Sequence, residues 1–212
     1  MNRYKLIEKL IREGYIRRKE VAEAMLKVPR EEFVPEELRS QAYEDRPLPI
    51  GRGQTISAPH MVAYMIEAAG VKRGDKVLEV GTGSGYNAAV LAEIVGPDGI
   101  VYTIERIREL AERAKERLDK LGYGDRVRVF VGDGSKGLPQ YAPFDKIIVT
   151  AAAKEVPREL VEQLKPGGVM VIPVEGLGGQ ELLRITKDKR GRVFVERLLP
   201  VMFVPLLSGI EE

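Results

Sequence analysis

The stretch Lys76–Val77–Leu78–Glu79–Val80–Gly81–Thr82–Gly83–Ser84–Gly85 decides the fold of this 212-residue chain. A short apolar strand runs into three alternating glycines. The apolar residues Ala88, Ala89, Leu91, Ala92 and Val95 then recur at helical spacing. Glycine adopts positive φ and lets backbone approach a ligand with no Cβ in the way. Between a strand and a helix, such a loop presents free N–H groups to a nucleotide-like ligand at the carboxyl end of a parallel strand. The spacing here is G-x-G-x-G. The dinucleotide fingerprint is G-x-G-x-x-G, and Tyr86 stands where its third glycine would be, which disfavours a nicotinamide cofactor. A tight turn without a ligand is the plain alternative for one such loop taken alone.

Two further strand tips bear on that choice. Ile100–Ile104 ends at Glu105, placed where an acid can accept hydrogen bonds from both hydroxyls of a ribose. Val127–Val131 ends in Gly132–Asp133–Gly134–Ser135. Asp133 there reads either as an acceptor for the exocyclic amine of a base or as a turn-forming Asp. The three tips in this order favour a nucleoside pocket. With Glu79 ahead of the first glycine, the loop resembles motif I of the S-adenosylmethionine methyltransferases. That resemblance implies S-adenosyl-L-methionine as cofactor, S-adenosyl-L-homocysteine as product, and a class I, Rossmann-like fold.

Composition is compatible with a single compact enzyme domain. The 34 Lys+Arg and 32 Asp+Glu leave a formal charge of +2, which calls for neither nucleic acid nor a membrane surface. Arg106, Arg108, Arg113 and Lys115 interleave with Glu109, Glu112 and Glu116, as on a solvated helix face. No apolar stretch reaches the ~18 residues of a membrane span. Asn2–Glu13 is charged and amphipathic rather than signal-like. The lack of cysteine excludes disulfides, thiolate metal sites and a catalytic thiol. No metal site and a cytoplasmic location are the expectations. Charged residues at 31% without Cys or Trp lean toward a thermophile's composition.

Organisation changes near residue 70. Before it stand two amphipathic helices with stripes Leu6, Ile7, Leu10, Ile11 and Val21, Met25, Val28, then an irregular stretch from Pro29 to Pro59. After it, strands and helices alternate through a fourth strand (Lys146–Thr150), a helix (Arg158–Leu164) stopped by Lys165–Pro166–Gly167–Gly168, and a fifth strand (Val169–Pro173). Glu181–Thr186 and Val193–Val201 read as a closing antiparallel hairpin. The expected architecture is a doubly wound α/β domain over residues 1–212 with a mostly parallel seven-stranded sheet. Residues 1–70 form a helical cap and substrate loop, 71–175 the cofactor core, and 176–212 the hairpin and tail.

The cap holds the second decisive stretch, Pro47–Leu48–Pro49–Ile50–Gly51–Arg52–Gly53–Gln54–Thr55–Ile56–Ser57–Ala58–Pro59–His60–Met61. It delivers polar side chains to a helix start. Ser57 or Ala58 is the N-cap, Pro59 the first helical residue, and Val62, Met65, Ile66 and Ala69 the buried stripe. On residue types alone, Ser57 is equally an ordinary cap and Thr55 a solvated turn residue. A long, specific loop inside a compact domain points to function.

This loop closely resembles the signature of the protein-L-isoaspartate (D-aspartate) O-methyltransferases. The likeness runs on through Tyr102–Glu105, Gly132–Asp133–Gly134, Ile147–Ala152, Ile172–Pro173–Val174 and Phe203–Leu206, with Gln54–Met61 its most specific block. It implies transfer of a methyl group to the free α-carboxylate of L-isoaspartyl, and also D-aspartyl, residues in damaged proteins. Repair then proceeds through a succinimide. It implies Ser57 as the catalytic residue, with Thr55 and His60 beside it at the substrate. It also implies a cofactor set of Gln54, Thr55, Ile56, Ser57, Glu79, Gly81, Thr82, Gly83, Ser84, Gly85, Glu105, Arg106, Asp133 and Gly134. The segment after Leu207 matches only loosely and brings no expected cofactor contact. His60, the one histidine, lacks metal partners and has no proton to abstract in this reaction.

Three other readings compete. A nucleic-acid methyltransferase acting on cytosine C5 needs a nucleophilic cysteine, and amine-methylating enzymes resemble one another in an Asn/Asp-Pro-Pro-aromatic tetrad where this chain has Thr150–Ala151–Ala152–Ala153. Ribose methylation is the runner-up, without a basic, aromatic-interleaved patch to support it. A nicotinamide oxidoreductase fails on glycine spacing, and a mere nucleoside-binding module leaves the Pro47–Met61 loop without purpose.

Overall fold

The structure is a computed structural model describing all residues from Met1 to Glu212. Two helices come first, α1 (Arg3–Arg12) and α2 (Lys19–Lys27). Asn2 caps α1 by accepting from the Lys5 amide at 2.9 Å. Leu6, Ile7 and Leu10 are buried as the periodicity predicts, but Ile11 is 50% exposed. It lies at the margin of the stripe, where the helix turns from the core toward water. The proline-punctuated stretch orders into two 3-10 turns, Arg30–Phe33 and Glu36–Gln41, and an antiparallel hairpin of β1 (Leu48–Gly51) with β2 (Gln54–Ile56). The hairpin turn takes three consecutive positive φ values, at Gly51, Arg52 and Gly53. Helix α3 (Pro59–Ala69) follows with Ala58 as its N-cap and no capping side chain, so Ser57 is not the cap.

From Lys76 the chain alternates as expected: β3 (Lys76–Val80), α4 (Tyr86–Val95), β4 (Ile100–Glu105), α5 (Arg108–Lys120), β5 (Val127–Val131), β6 (Phe144–Val149), α6 (Arg158–Gln163), β7 (Leu164–Gly176), β8 (Gly179–Lys187) and β9 (Val193–Val201). The seven strands lie in the order β5-β4-β3-β6-β7-β8-β9. The first five pair in parallel, and β8 pairs antiparallel with both β7 and β9. Strand β7 is longer than the expected Val169–Pro173, and α6 ends one residue earlier than Leu164. The Lys165–Gly168 run is taken into the strand as an irregularity opposite Phe144–Lys146. A Cβ on Gly168 would lie 2.8 Å from the Lys165 carbonyl oxygen and 2.9 Å from that of Asp145. Backbone is pressed against β6 there, which only glycine permits.

Sheet alternation sorts the core by face. Val77, Val101, Ile148 and Val171 join the N-terminal helices, α3 and α4 in one cluster of 38 buried residues. Leu78, Ile104, Ile147 and Met170 point the other way, toward Leu160 of α6. Helix α4 lies between the sheet and α2, and all but two of its residues are buried. Residues 1–70 therefore share a core with the glycine loop and its helix. No helix is long and apolar enough to cross a membrane. Leu91→Ala, which opens a cavity at the centre of α4, is expected to cost about 2–5 kcal/mol of stability in denaturant titration while turnover per folded molecule is kept.

Candidate active site

Strand β3 pairs in parallel with both β4 and β6, and chain order runs away from it in opposite directions. A crevice opens at the carboxyl ends of such strands. The glycine loop turns into it with φ of +98° at Gly81 and +54° at Gly83. A Cβ on Gly81 would come within 2.5 Å of Thr150 Oγ1 at the tip of β6. That hydroxyl lies 2.8 Å from the Gly81 carbonyl oxygen, to which it donates, and pins the loop. Gly85, expected at the cofactor, is also held by packing. A Cβ there would touch Leu118 and Ala114 of α5 at 3.3 and 3.4 Å, and the residue is the N-cap of α4.

Two carboxylates sit at the base of the crevice. Glu105, nearly buried, accepts from the Gly83 amide at 2.9 Å and the Ile107 amide at 3.0 Å. Glu79 is wholly buried and accepts from Thr103 Oγ1 at 2.6 Å and Asn87 Nδ2 at 2.7 Å. Burial pushes its carboxyl up to about 7, against the pull of those two donors, and the neighbouring Glu105 adds to the rise. Arg106 faces the same space. Its guanidinium donates to Glu211 at 2.9 Å, while its Nε is buried with no partner.

These groups line one cavity. Its walls also take Gln54, Thr55, Ile56 and Ser57 from β2 and the residue after it, and Thr82, Gly83, Ser84 and Gly134 from the strand tips. The tail closes one side through Val204–Leu207, held by the Ala152 amide on the Val204 carbonyl and the Leu206 amide on the Ala152 carbonyl, each at 2.7 Å. Asp133 stands outside this wall. Its carboxylate accepts from Ser135 N at 3.0 Å, Ser135 Oγ at 2.6 Å and Gly209 N at 3.0 Å. Burial works to raise its pKa, and these donors outweigh that and hold it below the usual value. The turn-forming alternative describes its conformation.

A second cavity lies beside the first, lined by Pro47, Ala58, His60, Met61 and Pro200–Phe203. Thr55, Ser57, Thr150 and Val204 line both, so the two spaces meet at these four residues. Thr55 is exposed in β2 rather than in a turn. His60 belongs to the second cavity. Its Nδ1 and its amide each lie 2.9 Å from the same oxygen of Asp45, and its ring sits 5.1 Å from that of Tyr15. Sequence reasoning did not single out Thr150 or Asn87, which carry no local signature. It also gave Val204–Leu207 no place at the site, although Phe203–Leu206 was part of the family likeness.

The family model for protein-L-isoaspartate(D-aspartate) O-methyltransferase matches residues 1–211. A protein-L-isoaspartate O-methyltransferase of Ignicoccus hospitalis is 71% identical over 204 residues, covering 96% of each chain. One from Methanopyrus kandleri is 60% identical, covering 99% of this chain and 94% of its own. Among solved structures, a Plasmodium falciparum chain described as a protein-L-isoaspartate O-methyltransferase, in complex with S-adenosyl-L-homocysteine, superposes with a TM-score of 0.88. It is 31% identical over 98% of this chain and 99% of its own.

Glu79 gives the ligand-free protein a pH dependence of definite sign. Below about pH 4.5 its carboxyl is protonated in both folded and unfolded chains and contributes nothing. From about 4.5 to about 7 the unfolded chain ionises and the folded one resists, so stability falls as pH rises and levels off above. The fall amounts to at most about 3 kcal/mol. Urea titrations across this range should show the slope in the wild type and a flatter one in Glu79→Gln. An identical slope in the variant would assign the dependence to other groups.

Proposed function

Because the chain belongs to the protein-L-isoaspartate(D-aspartate) O-methyltransferase family, we propose that Ser57 orients the substrate carboxylate where its two cavities meet. The enzyme transfers the methyl group of S-adenosyl-L-methionine to isoaspartyl residues. The meeting of a glycine-lined cavity and a second one at Thr55, Ser57, Thr150 and Val204 is the observation that carries the proposal.

The glycine-lined cavity suits that cofactor. Glycine at 81 and 83 leaves backbone exposed to a ligand, Glu105 offers a carboxylate for ribose hydroxyls, and the unpartnered Arg106 Nε is a free donor. When bound there, S-adenosyl-L-methionine supplies an electrophilic sulfonium methyl. Gln54, Thr55, Ile56, Glu79, Thr82, Ser84 and Gly134 complete the set proposed to hold it. Gly85 and Asp133 support that set from behind, by packing α4 on α5 and by fixing the turn at Gly134.

The substrate's α-carboxyl has an intrinsic pKa near ~4 and is ionised at neutral pH, so no general base is required. The residues have instead to exclude water and fix a line of approach. Ser57 and Thr55 can each donate one hydroxyl hydrogen to a carboxylate oxygen, leaving the other oxygen to face the methyl. His60, held by Asp45, borders the second cavity and is proposed to contact the substrate chain. The methyl ester formed is a better leaving group than the carboxylate. Attack by the neighbouring backbone nitrogen then expels methanol and closes a succinimide, which can open to normal aspartate. We place this repair in the cytoplasm, in keeping with a chain that has no cysteine to oxidise.

With labelled cofactor, an isoaspartyl peptide should take up methyl groups while its aspartyl twin and tRNA do not. Label in tRNA instead would revive the ribose reading. Glu105→Ala should weaken S-adenosyl-L-methionine binding by roughly 1–3 kcal/mol in titration calorimetry, and unchanged affinity removes it from the site. Ser57→Ala and Ser57→Gly should lose about ten- to a thousandfold in turnover with cofactor affinity kept. Their melts should stay close to the wild type's, since Ala58 and not Ser57 caps α3. Full activity of Ser57→Ala would shift the orienting role to Thr55 and nearby amides.

A further inference from the structure

We propose that Arg30 is a positioning residue for methyl transfer, holding the substrate loop in register with the cofactor loop through Ser57. The proposal rests on the reading of Ser57 given above. Arg30 opens the first 3-10 turn and is 0% exposed, among the largest fully buried side chains in the protein. Its hydrogen bonds go to carbonyls and not to a carboxylate. Nε donates to Ala42 O at 2.7 Å, Nη2 donates to Ser57 O at 3.0 Å, and Nη1 is buried without a partner. The guanidinium carbon sits 4.9 Å from the centre of the Tyr86 ring. Tyr86 is the first residue of α4, directly after the glycine loop, and lines the first cavity. The edge of Phe33 backs it at 5.6 Å between ring centres.

As a stabilising device this is a poor choice. A guanidinium keeps its charge at any working pH, and burying it with no carboxylate in hydrogen-bond contact, Asp45 acting only from a distance, costs more than a hydrophobic side chain of like volume would. What the planar fork supplies is fixed geometry. One end holds the peptide of Ser57, where the two cavities meet, and its face rests on the residue that ends the glycine loop. The base of the side chain is itself anchored, since the Arg30 amide donates to the Tyr43 hydroxyl at 3.1 Å and Arg3 Nε donates to the same oxygen at 2.9 Å. Arg30 therefore ties two loops that are far apart in sequence and belong to different halves of the fold. Methyl transfer needs the nucleophile in line with the bond that breaks, and a misplacement of about 1 Å costs on the order of a hundredfold in rate.

The test uses the intact enzyme with isoaspartyl peptide. Arg30→Lys keeps the charge and a single donor, while Arg30→Met fills the volume with neither. Both are measured for kcat, peptide KM, cofactor affinity and melting temperature, alone and in the Ser57→Ala background. Positioning predicts that kcat per folded molecule falls about ten- to a hundredfold in both variants, with peptide KM and cofactor affinity within about threefold of wild type. It also predicts that the fall shrinks to about twofold or less once Ser57 is already alanine, because the two residues act as one unit. If Arg30→Met melts lower but keeps wild-type kcat, Arg30 is structural and the proposal falls. Loss of turnover in Ser57→Ala beside full turnover in Arg30→Lys overturns the proposal alone. Full turnover in Ser57→Ala overturns the reading of Ser57 and the route through it. Additive losses in the double variants overturn only that route.

Discussion

The parallel pairing of β3 with β4 on one side and β6 on the other is the constraint on which the rest of the molecule depends. It makes β3 the point where strand order reverses, so the loops leaving β3 and β6 diverge and a crevice stays open between them. The two tips nevertheless approach closely at one place. Gly81 meets Thr150 with no room for a Cβ, and the Thr150 hydroxyl bonds the Gly81 carbonyl. That contact fixes the glycine loop at the height where both cavities begin.

Everything that closes the crevice arrives from a distance in sequence. The β1–β2 hairpin brings Gln54–Ser57 from the N-terminal side, and Val204–Leu207 come from the tail. The ends of these two segments are joined across the rim. Arg52 in the hairpin turn bonds Glu109 at 2.7 Å and Glu211 at 2.6 Å, and Arg108 bonds Glu212 at 2.6 Å. Each pair is exposed enough to contribute little singly, yet together they hold hairpin, α5 and tail in one arrangement. Backbone bonds reinforce it, with the Glu211 amide on the Arg106 carbonyl at 2.8 Å and the Arg108 amide on the Glu211 carbonyl at 2.9 Å.

Electrostatics divide along the same lines. The floor of the first cavity holds two acidic side chains close enough that Glu105 contributes to the raised pKa of Glu79. The second cavity carries hydroxyls, a histidine tied to Asp45, and apolar residues of the last strand. On the proposal above, its hydroxyls position a nucleophile that is ionised before it binds.

Much of this was legible in the chain alone. The apolar run into Gly81, the acid at Glu105 and the Gly132–Gly134 turn are local patterns, and local backbone chemistry fixes what they form. The first strands, the glycine loop and a nucleoside-type pocket follow from them, while the cofactor itself was legible only through the family likeness. What only the tertiary structure decided are the meanings that depend on a remote partner. Ser57 and Ala58 are equal candidates for a cap until the fold gives Ser57 to the cavities and its carbonyl to Arg30. Gly85 belongs to the cofactor motif by spacing, yet α5 packs where its Cβ would be. Asp133 shows its turn-forming role through Ser135, and only the fold brings the Gly209 amide onto its other oxygen. Periodicity reports which face a residue takes on its own element. It carries no record of what another element, folded from far along the chain, will place against that face.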